Sequence, residues 1–246
     1  MQDMENSENM RSDIRVSVAM TTYNGERFVK EQIQSILACL QKDDELIVSD
    51  DGSTDQTLLI VKELAASDER IQLIEGPKKG VVKNFENALL HCKGEYIFLS
   101  DQDDVWHTDK VAVVLPQLND YILVCHNANI YDDQADKIVG DVQSKIGTHA
   151  TVFKNIVKNS FIGCCMAFRR ELLQYALPFP DQELIHMHDW WLGSVALKKG
   201  KVYFEKNCLI DYRIHGGNAV GFQKTSIAFK IKKRLRMLKA LRKYKK

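Results

Sequence analysis

The feature that most constrains this chain is an alternation, through its first hundred residues, of short apolar runs with longer segments of helical spacing. The runs VSVAM (16–20), ELIVS (45–49), IQLIE (71–75) and YIFLS (96–100) have the length and continuity of buried strands. Between them, residues 27–40 space Phe28, Ile33, Ile36, Leu37 and Leu40 as on one helix face, and 57–66 and 81–92 read as helices too. Strands alternating with helices of this length predict a parallel sheet covered by helices on both faces. Ligands of such sheets bind beyond the carboxyl ends of the strands. That rule singles out three loops: TTYNGE after the first strand, DDGSTD after the second and DQDD after the fourth.

The second half is less regular. Residues 121–131 and 163–170 read as strands, 187–199 as a helix and 201–214 as one or two closing strands. With 246 residues, 45% hydrophobic and 27% charged, the chain has the composition of one large globular domain with a substantial core. The expected organisation is a mobile segment at 1–14, an ordered domain at 15–221 and a basic helix at 222–246. No stretch reaches the roughly 18 apolar residues of a membrane span, and the first residues lack the pattern of a secretory signal, so a cytoplasmic location is expected. Cys39, Cys92, Cys125, Cys164, Cys165 and Cys208 show no CxxC or metal-like spacing and read as small buried hydrophobes.

Two acidic loops carry the chemistry. Asp101, Asp103 and Asp104 follow an apolar strand, and hard carboxylate oxygens on a rigid edge suit Mg²⁺ or Mn²⁺ completed by water and substrate phosphates. Alone, the cluster reads equally as a solvated turn capping a helix near Thr108. Asp50 and Asp51 open DDGSTD, where Gly52 permits a tight turn and Ser53 or Asp55 can cap the next helix.

Taken together, VSVAMTTYNGERFVKEQIQSIL, ELIVSDDGSTDQT, KGVVKNFENALLHCKGEYIFLSDQDDVW, HDWW and YRIHGGN resemble the family 2 inverting glycosyltransferases of the GT-A fold from about residue 16 to 221. The resemblance implies an α/β, Rossmann-like, mostly parallel mixed sheet with helices on both faces. It implies that Thr21 and Tyr23 hold the nucleotide, that Asp51 accepts a hydrogen bond from a pyrimidine N3–H, and that Asp101 lies near the ribose or donor sugar. Asp103 becomes the direct metal ligand and Asp189 the base that deprotonates the acceptor hydroxyl, with Trp190 and Trp191 as an acceptor platform. His215 is a candidate ligand for metal or phosphate, although a lone histidine is often structural, and Arg213 a candidate phosphate contact. The segment with Gly216 and Gly217 is expected to close over the diphosphate.

Within the family, the motifs look most like a rhamnosyltransferase-type branch, which makes dTDP-L-rhamnose the first expected donor and a UDP-sugar the second, with a glycan or polyprenyl-linked acceptor. The chain lacks the QxxRW sequence of processive members, so transfer of single sugars is expected. A nucleotidyltransferase would need a Gly-rich basic loop after the first strand, and TTYNGER has one Gly; a dinucleotide oxidoreductase would need GxGxxG there. A nucleotide-sugar binder without catalysis differs from an enzyme by failing to hydrolyse donor.

The residues from Gln223 onward carry 11 Lys or Arg and no acid, so a total of +1 leaves −10 on the rest of the chain. As a helix, this tail aligns Ile227, Ile231, Leu235, Leu238 and Leu241 in one apolar stripe flanked by basic residues. That pattern predicts an interfacial helix on an anionic membrane, separable from catalysis; a helix docked on the domain is the alternative, and nucleic acid is not an expected partner.

Overall fold

The computed structural model describes residues 15–181, 183–215 and 226–243. The expected mobile segment at 1–14, the boundary at residue 221 and the pair Gly216 and Gly217 lie outside the described residues.

The four apolar runs form strands β1 (Val16–Thr22), β2 (Glu45–Asp50), β3 (Ile71–Glu75) and β4 (Tyr96–Ser100). They are joined by α1 (Val29–Leu37), α2 (Thr57–Ser67) and α3 (Val81–His91). The strands lie in the order β3-β2-β1-β4 and pair in parallel. The chain steps outward from β1 to β3 through α1 and α2, then returns to the far side of β1 through α3. Right-handed crossovers therefore put α1 and α2 on one face and α3 on the other. The contacts agree, since α1 packs on α2 and α3 packs on β1 and β2. Covered on both faces, Val18, Ala19, Met20, Ile47, Val48 and Leu99 are fully buried.

The second half adds β5 (Val105–Trp106), α4 (Lys110–Val114), β6 (Leu123–Asp132), β7 (Lys137–Asp141), α5 (Val142–Ile146), α6 (Val152–Val157), β8 (Met166–Arg169), α7 (Leu173–Ala176), α8 (His188–Lys199), β9 (Val202–Ile214) and α9 (Ile227–Lys243). Strand β8 runs antiparallel between β4 and β6, while β9 runs parallel to β6 and meets β5 antiparallel. Residues 201–214 are thus one long closing strand rather than two. Strands β5 and β7 carry no apolar run of their own; the first is ordered by β9 and the second by the edge of β6. The cysteines are free thiols, buried except for the half-buried Cys208.

The basic helix departs from its expected apolar stripe. Met237, Ala240 and Leu241 are buried with Leu238 packed beside them, whereas Ile231 and Leu235 are exposed. Helix α9 docks on α6 and α8, with the Lys198 ammonium donating to the carbonyl of Leu241 (3.3 Å) and the Arg234 guanidinium to that of Val157. The stripe is split because the docking face is centred on Met237, and at 3.6 residues per turn Ile231 and Leu235 lie about a third of a turn or more away from it. The side chain of Ile227 lies outside the described residues. Among the described residues, no helix is long and apolar enough to cross a membrane.

Candidate active site

Between β1 and β4 the direction of strand addition reverses, which opens a crevice at their carboxyl ends. The register carries the chains out side by side: Met20 pairs with Ser100 and Thr22 with Asp50. All three acidic or polar loops reach one cleft of about 710 Å³, lined by Thr21, Tyr23, Asp51, Asp101 and Asp103 among others. The Gln102 side chain staples two of the loops, accepting from the Tyr23 amide (2.8 Å) and donating to the Tyr23 carbonyl (3.2 Å). A Cβ at Gly25 would lie 2.3 Å from the Gln102 carboxamide oxygen, so this approach requires glycine. Nothing in the DxD pattern identifies its middle residue as this staple.

The DDGSTD pair divides its labour. Asp50 is buried and accepts from the Thr22 hydroxyl (2.8 Å) and the amides of Gly52 (3.0 Å) and Ser53 (2.8 Å), which fixes the turn that Gly52 makes at φ 94°. Asp51 turns to the cleft and accepts from the amides of Gly80 (2.7 Å) and Lys79 (3.3 Å) at the start of α3. A carboxylate held by two backbone donors is a fixed acceptor, and each oxygen keeps a lone pair for a base. Tyr23 stands 57% exposed at the mouth, its ring open to stacking, while Thr21 is buried beneath. Asp55 accepts from the Thr57 amide (3.0 Å) and so satisfies one donor in the first turn of α2.

Around the DQDD turn, negative charge is concentrated. Burial and the neighbouring carboxylates Asp104, Asp103 and Asp189 raise the pKa of Asp101 well above the usual carboxylate range. Burial, then Asp103, pushes Asp104 up to about 7. One oxygen of Asp104 accepts from the Arg213 amide (3.2 Å), and the other is buried without a partner. The His215 Nε2 lies 2.8 Å from Asp103 Oδ2. A hard divalent cation fits this set: carboxylate oxygens, one imidazole, an orphaned buried oxygen and repulsion that a positive charge relieves. Cys164 Sγ lies within 4.8 Å of the Asp101 and Asp104 oxygens, but its hydrogen bond with Cys165 and its burial keep it a thiol, a poor ligand for such an ion. Beneath the turn, buried Lys110 donates to the Cys164 carbonyl (2.9 Å) and lies over the Trp106 ring.

Arg213 is placed differently from its expected phosphate contact. Its guanidinium donates to Asp133 (3.1 Å), Glu31 (2.7 Å) and the Asp103 carbonyl (3.0 Å), between the rings of Phe28 and Tyr131. Three of its five N–H groups are thus engaged by two carboxylates and a backbone carbonyl. Arg213 instead ties the metal-loop backbone to α1 and to the end of β6. Asp133 lies in no motif, and nothing in the segment that holds Glu31 marks it as a partner of Arg213.

Asp189 is the second residue of α8 and 9% exposed. Burial pushes it up to about 6, against the pull of backbone N–H groups of Trp190 and Gly163. Met187, two residues before it, lines the same cleft as Asp101. The preceding His188 is buried, stacked on Phe85 at 3.8 Å, and pushed down by burial to about 3, so it stays neutral. The expected tryptophan platform is corrected here. Trp191 is fully buried with its indole N–H donating to the Ala176 carbonyl (2.9 Å), and Trp190 is 7% exposed, so neither ring offers a face to a sugar. The two rings instead fasten α8 to the core and thereby fix Asp189.

A parallel sheet with a nucleotide-sized cleft at its switch point, floored by carboxylates fit for a divalent cation, defines an α/β nucleotide-binding domain of the kind that handles diphosphates. Residues 17–176 match Glycosyl transferase family 2, and the chain belongs to that family. It is 31% identical to the dTDP-rhamnosyl transferase RfbG of Shigella flexneri, over 89% of this chain and 79% of that protein. It is 28% identical to the UDP-Glc:alpha-D-GlcNAc-diphosphoundecaprenol beta-1,3-glucosyltransferase WfgD of Escherichia coli, over 77% of this chain and 72% of that protein. Among solved structures it is similar to S. aureus TarS 1-349 in complex with UDP-GlcNAc, at a TM-score of 0.67 and 20% identity over 87% of this chain. The mannosyltransferase PcManGT from Pyrobaculum calidifontis, in complex with GDP-Man and Mn²⁺, superposes at a TM-score of 0.64 and 22% identity over 93% of this chain. The chain spans 62% of the TarS 1-349 chain and 64% of the PcManGT chain. These likenesses support the GT-A arrangement of a mixed α/β sheet.

Proposed function

We propose that this glycosyltransferase moves a single sugar, with inversion, from a nucleotide-diphosphate donor to an acceptor hydroxyl, using Mg²⁺ or Mn²⁺. The observation that carries this reading is the convergence of Asp51, Asp101 and Asp103 on one cleft, with His215 against Asp103 and Asp189 set apart by a buried helix start. Tyr23 stacks on the base and Asp51 accepts from its N3–H. Thr21 supports the nucleotide from below, and Asp101 faces the ribose or sugar. Asp103 and His215 hold the metal, and when bound it offsets charge on the departing diphosphate. Arg213 keeps the Asp103 backbone in register rather than touching phosphate. Asp189, raised by burial, takes the proton of the attacking hydroxyl on the face opposite the leaving group.

The likeness to RfbG, named a dTDP-rhamnosyl transferase, supports dTDP-L-rhamnose as donor, and WfgD, named for a diphosphoundecaprenol acceptor, supports a polyprenyl-linked acceptor at the cytoplasmic face of a membrane. The exposed face of α9, where Ile231 and Leu235 stand among Lys232, Arg236 and Lys239, supports peripheral docking on anionic lipid. A thermal-shift screen of dTDP-, UDP-, GDP- and CDP-sugars with Mn²⁺ tests the core of the proposal. The largest shift is expected with dTDP-L-rhamnose and should vanish in EDTA. No shift with any of them, or an equal shift without metal, would refute it.

A further inference from the structure

The sequence places the basic helix beyond the last motif, yet its first turns lie against the active site. The Phe229 ring meets that of His186 edge to face at 5.9 Å, and the Lys233 ammonium stands 4.6 Å from the centroid of Phe229. His186 precedes Asp189 by three residues, and Met187 between them lines the donor cleft. Helix α9 is held there by the buried Met237, Ala240 and Leu241. Most basic residues of α9 are exposed, but Lys233 is half-buried, and among the described residues no carboxylate forms an ion pair with it. Burial lowers its pKa while the charge of Asp189 raises it, and Asp189 is in turn lowered by Lys233. A half-buried ammonium without an ion pair attracts an anion.

We propose that α9 completes the acceptor side of the active site, with Lys233, beside Phe229 and His186, binding a phosphate or diphosphate carried by the acceptor. The inference rests on the reading of Asp189 as the base, because that reading makes this side of the cleft the acceptor side. It joins two roles in one helix: the exposed face of Ile231 and Leu235 meets the lipid surface, and Lys233 on the inner side grips the phosphate that links glycan to lipid. The sugar hydroxyl beyond that phosphate is thereby brought towards Asp189.

Calorimetry of the full chain with farnesyl diphosphate and with farnesol tests this, in EDTA so that no divalent ion bridges the diphosphate to Asp103. Wild type is expected to bind the diphosphate more tightly than the alcohol. Lys233→Gln should bind farnesyl diphosphate about tenfold more weakly, the loss of one charge-assisted hydrogen bond, with farnesol unchanged. Lys233→Arg should retain binding, and Lys62→Gln on the distant α2 should behave as wild type. Equal affinity of wild type and Lys233→Gln for farnesyl diphosphate would overturn the proposal. Co-sedimentation with phosphatidylglycerol vesicles separates the two phosphate sources. Unchanged sedimentation of Lys233→Gln supports the acceptor phosphate, whereas lost sedimentation with unchanged farnesyl diphosphate affinity assigns Lys233 to lipid headgroups and refutes it. Donor hydrolysis with Mn²⁺, run in parallel, reports on the glycosyltransferase reading independently of this outcome.

Discussion

Replacing Asp189 by Asn should make the protein more stable and nearly inactive. The folded protein holds the Asp189 proton more tightly than the unfolded chain, with a pKa raised from 3.8 to about 6 by burial. Ionising this carboxyl therefore costs stability: the contribution is fully present below pH 3.8 and is lost as pH rises to about 6, beyond which the penalty is constant. The difference between the two pKa values corresponds to about 3 kcal/mol at pH 7.5. Asn keeps an oxygen to accept from the backbone and carries no charge, so Asp189→Asn removes the penalty. For a chain of this length the melting temperature should rise by roughly 6 to 12 °C at pH 7.5. At pH 4.5, where most of the wild-type carboxyl is protonated in the fold, the gain should shrink to about 1 kcal/mol. Thermal unfolding of both proteins in EDTA at the two pH values provides the measurement. Transfer should fall by roughly 10² to 10⁴ while donor binding persists. An Asn variant no more stable than wild type at pH 7.5, or a gain independent of pH, would show that Asp189 is not a strained buried charge. Full transfer activity would assign the proton to another group.

Two further variants address the metal and the membrane. Asp103→Ala should abolish turnover and remove the Mn²⁺ dependence of donor affinity measured by calorimetry; unchanged Mn²⁺-dependent affinity would take Asp103 out of the ligand set. Ile231→Asp with Leu235→Asp should abolish co-sedimentation with phosphatidylglycerol vesicles while leaving the melting temperature within a few degrees, because both side chains are exposed. Sedimentation equal to wild type at low salt would leave this face without a membrane role. Deleting the whole helix is the wrong experiment, since it would strip Met237, Ala240 and Leu241 from the core.

The nucleotide side of the site was legible in the sequence because it is local. Each of its loops follows directly on an apolar run, so the strand pattern alone placed Thr21, Tyr23, Asp51, Asp101 and Asp103 on one edge of a parallel sheet. Helical spacing likewise anticipated the helices between β1 and β4 to within a few residues. What tertiary structure decided lies where distant segments meet. Strand β9 pairs with β6 and with β5, the latter two residues long, and these pairings bring Arg213 and His215 against a turn more than a hundred residues earlier. Once there, Arg213 is claimed by Asp133 and Glu31, whose nearness no spacing reveals. The tryptophans after Asp189 resemble a sugar platform on paper, but the helix turns both into the core, because apolar area finds more contacts there than at a wet cleft. The basic tail had a correct helical period and an incorrect face. Amphipathic spacing fixes which residues share a stripe, whereas the surface waiting on α6 and α8 fixed which of them dock, and so put Lys233 over Phe229 beside His186 and left Ile231 and Leu235 outside.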